Sequence, residues 1–338
     1  YLLYLAVSIV QAIGSNLVVT VVCNKQYPFL KKHVDGKYEK MDSILLKRYE
    51  KISYDTAYIV RPPSKLMLKV RANVSGNNIR IKNKVDGKTV RANLSTARKT
   101  TLSFSVNYIG LSAGFALNPS FFSGKSKDFE VNINAYSNRY NIDAYYQSSK
   151  TLSGTIFHDG EKYSLDKGSM HMKILNVAGY YTFNHRRFSY PAAFTQSYIQ
   201  KRSAGSWLAG FSYQGGSMRP IGDVPVGMPA ERIYMGNFAI GGGYGYNFVL
   251  KKWLLHVSLL PAVIVFNNNN VTVNGEREDE NTHFPEMMVQ GRFAAVYSMN
   301  SKYFMGFTSI ANSSRLGYSD HYTRQNKWRV RMFLGIRL

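Results

Sequence analysis

The chain has a single cysteine, Cys23, in 338 residues, which excludes an internal disulfide framework and any cysteine-based zinc site. Acidic residues are scarce: 20 Asp and Glu stand against 43 Lys and Arg, leaving a formal charge of +23. Such an excess first suggests nucleic acid. The basic residues are spread along the chain instead of gathered in one helix or tract, so no nucleic-acid partner is expected and the phosphates of a membrane surface match better. The body of the chain contains no run resembling a membrane helix, because polar residues recur every second or third position. Hydropathy of that kind leaves a membrane β-barrel open, since half of each strand of such a barrel faces the lumen. The seven histidines are scattered, with no pair at metal-ligand spacing, so neither a metal nor a cofactor is expected.

Aromatic side chains are plentiful, with 25 Tyr and 19 Phe, as girdles at two membrane interfaces require. The closing stretch shows the pattern that organises the rest. Trp328, Val330, Met332, Leu334, Ile336 and Leu338 fall on one parity, and Arg329, Arg331, Phe333, Gly335 and Arg337 on the other. Side chains alternate across a strand, so one face is apolar and the other carries guanidiniums. Earlier segments repeat the alternation. From Lys65 to Val74, the residues Leu66, Leu68, Val70, Ala72 and Val74 point one way and Lys65, Met67, Lys69, Arg71 and Asn73 the other.

Paired segments follow at 100–108 and 111–117, 129–136 and 140–147, 174–183 and 205–214, 234–249 and 253–266, and 287–297 and 303–311. The stretch just after Asn184-His185-Arg186-Arg187 reads as irregular, and 76–98 as an outer loop or hairpin extension. Short and long connections alternate. The expectation is an all-β, transmembrane antiparallel β-barrel of about twelve strands, with roughly ten or fourteen as the alternatives, occupying 64–338 with both termini periplasmic.

Ahead of the barrel, residues 1–22 resemble the remnant of a secretory signal, with Ala12 and Gly14 at small positions and Ser15 as the new terminus; a retained helix is the alternative. Cys23 follows the bulky Val22, which disfavours lipidation. Residues 23–63 form a periplasmic segment. In it, Val34, Tyr38, Met41, Leu45, Tyr49 and Ile52 recur at helical spacing opposite Lys37, Lys40, Lys47, Arg48 and Lys51, predicting a short basic amphipathic helix before Pro62 and Pro63.

No catalytic motif survives inspection. The Gly-Lys-Ser at 124–126 has Pro119 where a phosphate-binding loop needs its first glycine, and Ser212 lacks the glycine spacing of a nucleophile elbow. His256 is expected to face the lumen as a hydrogen-bonded wall residue, although a site assembled in space stays open to a lipid-acting enzyme. The acidic run 275–281 fits no defined calcium loop and reads as a solvated extracellular loop. The glycines at 241–243 and Gly245 are read as relieving crowding where the wall bends or another segment packs inside.

Closure supplies the sharper constellation. The first and last strands become neighbours, which sets inward Lys69 and Arg71 beside Arg329 and Arg331, with Arg337 facing Lys65 nearer the periplasmic end. Across the lumen, Glu130 and Asp143 are the expected counter-charges, with Arg139 and Arg292 adding cations. Two readings stay open: a salt-bridge network filling a closed lumen, or a water-filled, anion-preferring path.

The runs Asp55 to Ile59 (D-T-A-Y-I), Asn107 to Phe115 (N-Y-I-G-L-S-A-G-F) and Tyr136 to Tyr140 (Y-S-N-R-Y), with Asp143 and Tyr145, resemble the domain-of-unknown-function family 4421. That resemblance covers most of the chain after residue 53. It implies an outer-membrane barrel of Bacteroidota and carries no activity or catalytic residue. The functional expectations are a narrow anion-preferring channel or small-ligand transporter, a structural or assembly subunit of an envelope complex, or an integral lipid-modifying enzyme. The expected partners are outer-membrane lipids and lipopolysaccharide, a small anionic ligand and envelope proteins.

Overall fold

The structure, a computed structural model, describes residues 52–85, 88–108, 111–117, 129–222, 232–273, 275–279, 286–318 and 321–338. The signal-like segment, Cys23 and almost all of the expected amphipathic helix lie outside these residues, as does the Gly-Lys-Ser run.

The first strands are β1 (Ile59–Val60), β2 (Leu66–Val85), β3 (Lys88–Thr96), β4 (Lys99–Tyr108), β5 (Leu111–Leu117), β6 (Phe129–Tyr136) and β7 (Tyr140–Ser149). Then come β8 (Leu152–His158), β9 (Glu161–Leu165), β10 (Met170–Thr182), the helix α1 (Tyr190–Phe194), β11 (Ile199–Gln200) and β12 (Ala204–Pro220). The chain ends with β13 (Arg232–Leu250), β14 (Trp253–Asn267), β15 (Asn270–Val273), β16 (Glu276–Asp279), β17 (Glu286–Ser298), β18 (Tyr303–Tyr318) and β19 (His321–Arg337).

Antiparallel pairings place the long strands in the row β5-β4-β2-β19-β18-β17-β14-β13-β12-β10-β7-β6. Among the described residues the row is not closed into a ring; its ends are β5 and β6, consecutive in sequence. Of the two readings of 76–98, outer loop or hairpin extension, the structure shows the extension: β2 continues to Val85, β3 turns back along it, and β8 and β9 pair beyond. The acidic run is largely β16, paired with β15.

Burial in this sheet is inverted relative to a soluble sandwich. On the outer face the apolar side chains stand exposed, Trp207 at 67%, Met332 at 61% and Leu334 at 60%. On the inner face polar groups are buried: Lys69, Asn73, Ser105, Asn107, Gln147, Asn237, Asn247, His256, Ser258, Arg292 and Gln325. Contacts between strands far apart in the row show how strongly the sheet curls. Gln214 of β12 bonds to Gln325 of β19, and Tyr180 Oη of β10 donates to Gln290 Oε1 of β17 at 2.6 Å.

The segment 183–203 turns inward and packs at one end of the concave face of the sheet. Ser189 caps α1 by accepting the Ala192 N–H at 3.3 Å, and proline occupies the first turn, where no intrahelical donor is lost. Phe188, Tyr190 and Phe194 are buried against Leu208, Leu254 and Ala294 of the sheet. Gly245 makes room for them, since a Cβ there would lie 3.3 Å from the Phe188 ring. Gly241 and Gly243 have another cause: a Cβ at either would run into the backbone of β14. A second apolar cluster, with Ile79, Leu94, Ile156, Met172, Ile174 and Met218, packs at the opposite end.

Candidate functional site

The last strand pairs with the first long one, and the register is set by their shared end. Leu66 N–H donates to Leu338 O at 3.3 Å, and Leu338 N–H to Leu66 O at 2.8 Å. Counting from there, Lys69 stands opposite Gly335, Arg71 opposite Phe333, Asn73 opposite Arg331 and Ser75 opposite Arg329. This corrects the expected arrangement, because the two pairs of cations are displaced along the strands instead of lying side by side. Arg71 and Arg331 remain diagonal neighbours, a separation that long side chains bridge. Arg337 stands opposite Met67, not Lys65, which is exposed.

The acceptors that Lys69 and Arg331 find are neutral. Lys69 Nζ donates to Thr195 O at 2.6 Å and to Gln196 Oε1 at 3.1 Å, at the C-terminal end of α1 where carbonyls are left over. Arg331 Nε donates to Asn73 Oδ1 at 2.8 Å, whereas Arg71 Nε is buried with no partner among the described residues. Arg337 lies over the Phe304 ring at 4.4 Å, and Arg329 over Tyr145 at 5.0 Å.

Asp143 has a different partner from the seam. It forms an ion pair with Arg292 and also accepts from Asn134 and Tyr136. Arg292 reaches across the interior from β17. Its guanidinium donates to Gln290 Oε1 at 2.9 Å and Tyr180 Oη at 3.1 Å, and lies 4.8 Å from the Tyr180 ring centroid and 5.5 Å from that of Tyr190. Burial holds the Tyr190 phenol well above its ordinary pKa, so it stays neutral beside the cation. Arg139 is not in the lumen. It lies in the tight turn between β6 and β7, exposed, with Nη2 3.0 Å from His185 Nε2. The side chain of Glu130 lies outside the described ones.

His256 faces inward and is fully buried. Its Nδ1 is 2.7 Å from Asn247 Oδ1 and its Nε2 is 2.9 Å from Ser258 Oγ. The order Ser258, His256, Asn247 is that of nucleophile, base and orienting group. Here it is sealed beneath Phe188, Tyr190 and Phe194, and the Asn247 amide is committed to Ser189 O at 2.9 Å and Gln200 Oε1 at 3.0 Å. This cluster anchors the inserted segment. Sequence reading misses that segment because α1 is too short to show periodicity; the local signal is Ser189 followed by Pro191.

Between the two ends, a cavity of about 10 Å3 bordered by Gln214, Asn312, Gln325 and Lys327 has room for about one water.

Residues 53–337 match a family model described as "Domain of unknown function (DUF4421)". No curated protein matches the chain. Among solved structures, the outer membrane protease OmpT from Escherichia coli is similar at TM-score 0.40 and 7% identity, covering 86% of this chain and 100% of that one. The translocator domain of the autotransporter NalP from Neisseria meningitidis is similar at TM-score 0.35 and 10% identity, covering 91% and 97%.

Proposed function

Since the chain belongs to the family described as "Domain of unknown function (DUF4421)", whose description carries no activity, we propose a function from the inverted sheet and its packed interior. The protein is an integral outer-membrane barrel, closed by β5 against β6 into about twelve strands with both termini on the periplasmic side. It is shut at rest and prefers anions when the segment 183–203 moves aside.

The observation that carries this is the set Lys69, Arg71 and Arg331, turned toward one enclosed space with only neutral acceptors for Lys69 and Arg331. Cations held in a low-dielectric enclosure favour an anion or water among them. Lys69 also holds the end of α1, so an anion binding there competes with the contacts that keep the segment in place.

Planar-bilayer recordings under a salt gradient test the proposal. The unmodified protein is expected to conduct little. Phe188→Ala with Phe194→Ala should open it with anion preference, and adding Arg71→Gln and Arg331→Gln should reduce that preference. Cation preference in the opened variant would contradict the reading.

A second reading, a structural or assembly subunit of an envelope complex, is favoured by the two apolar clusters packed inside the curled sheet; silence of every inserted variant would select it. For an integral lipid-modifying enzyme, the Ser258 and His256 pair is on the wrong face, buried away from lipid.

A further inference from the structure

The outward face of β10, β12 and β13 changes character along its length. Leu175, Phe211 and Ile240 are exposed and apolar, and Phe211 stacks on Phe238 with ring centroids 5.9 Å apart. Two residues beyond Leu175, away from the end that holds Leu66 and Leu338, the face turns basic. Lys173 stands opposite Ser217, His171 opposite Arg219, and Arg232 opposite Thr272 on β15. These side chains border an open cleft of about 570 Å3. Of these, Lys173, Arg219 and Arg232 are not consumed by the fold. His171 Nε2 is 2.8 Å from Ser148 Oγ, while Lys173, Arg219 and Arg232 are exposed and pair with no carboxylate among the described residues.

The inner face of the same strands explains why the charges point out. Met170, Met172, Ile174 and Met218 alternate with them and are buried in the cluster at this end. Alternation therefore turns all three cations outward: Arg219 and Arg232 lie side by side on adjacent strands, roughly 5 Å apart, and Lys173 is diagonal to Arg219, two residues down β10 and about 7–8 Å away. Two guanidiniums and an ammonium at that spacing match phosphate oxygens, the guanidiniums by paired N–H donors and the lysine as a point charge. A free anion would have no use for the apolar face that begins two residues below Lys173 at Leu175 and continues down the strands to Phe211 and Ile240. A ligand with phosphates at its head and acyl chains beneath matches both halves.

We propose that this cleft binds the phosphorylated headgroup of an outer-leaflet glycolipid, with Lys173, Arg219 and Arg232 on phosphate and the acyl chains lying over Leu175, Phe211 and Ile240. The proposal rests on the reading of the protein as a membrane barrel whose termini are periplasmic, which sets this rim in the outer leaflet.

The experiment uses the full chain in mixed micelles and measures equilibrium binding of bis-phosphorylated lipid A, its dephosphorylated counterpart and inorganic phosphate. Wild type is expected to bind the bis-phosphorylated lipid, to bind the dephosphorylated form far more weakly, and to resist displacement by inorganic phosphate at the same concentration. Each basic residue near a membrane surface contributes about a factor of five, so the triple variant Lys173→Gln, Arg219→Gln, Arg232→Gln should lose on the order of 100-fold. A charge-matched control at the other rim, Lys251→Gln, Lys252→Gln, Lys302→Gln, should bind as wild type does. Equal loss in the control, equal binding of the dephosphorylated lipid, or displacement by inorganic phosphate would overturn the proposal. A protein that does not insert into vesicles overturns the membrane reading beneath it; insertion without phosphate-dependent binding overturns the lipid site alone.

Discussion

Asp143→Ala is expected to cost about 3–5 kcal/mol of stability, read as a lowered thermal midpoint of the heat-modifiable folded form. The Arg292 side chain is 1% exposed, and Asp143 is its one ion-pair partner among the described residues. Removing the carboxylate strands a guanidinium in the interior, where its remaining partners, Gln290, Tyr180 and Tyr136, are neutral. The desolvation penalty of the unpaired charge sets the size of the effect, not the strength of the pair itself. The companion expectation separates the two. Arg292→Met combined with Asp143→Asn should recover most of the loss, because Tyr180 Oη and Gln290 Oε1 still satisfy one another and the amide oxygen introduced at 143 still accepts from Tyr136 and Asn134. If the double variant is as unstable as the single one, Arg292 is held by something other than charge compensation.

Met332→Arg is expected to impair assembly more than Leu334→Arg, and both more than Arg331→Gln. Met332 and Leu334 lie on the exposed apolar face of β19, and Arg331 points inward to Asn73. With a rise of about 3.4 Å per residue and a strand tilt of about 40°, Leu334 lies roughly 10 Å and Met332 roughly 15 Å above the strand end. A lipid-facing arginine costs about 2–4 kcal/mol near the bilayer midplane and less toward an interface. Inside, Arg331→Gln removes a cation that has Arg71 as its diagonal neighbour and leaves a side-chain amide able to donate to Asn73, so the cost stays below about 1.5 kcal/mol. The fraction of heat-modifiable protein recovered from membranes ranks the three, and equal losses would reverse the assignment of faces.

How much of this is legible in the sequence depends on the range of the signal. Alternation is a local property, so the division of Trp328 to Leu338 into a face with Met332 and Leu334 and a face with Phe333 and Arg337 can be read from the residues themselves. The inward turn of His256 follows from the same period. Register is different: Lys69 stands opposite Gly335 because Leu66 and Leu338 exchange hydrogen bonds at the strand ends, and no residue pattern announces that exchange. Arg139 illustrates the limit of parity at a turn, where alternation stops at the last paired residue and the next side chain is free to point outward. The inserted segment is hidden for a further reason. Its helix is five residues long and its contacts, such as Lys69 to Thr195 and Asn247 to Ser189, join residues far apart in sequence.

The central claim is that the apolar face of this curled sheet meets lipid and the polar face is enclosed. Spin-label accessibility tests it most directly. Single cysteines are introduced as Arg329→Cys, Arg331→Cys, Met332→Cys and Leu334→Cys in a Cys23→Ser background, labelled with a nitroxide and reconstituted in lipid vesicles. Labels at 332 and 334 are expected to be relaxed by oxygen dissolved in the bilayer and shielded from an aqueous nickel chelate, whereas labels at 329 and 331 should lack that oxygen signature. Labels at 332 and 334 that respond to the aqueous chelate as strongly as those at 329 and 331 would contradict the account.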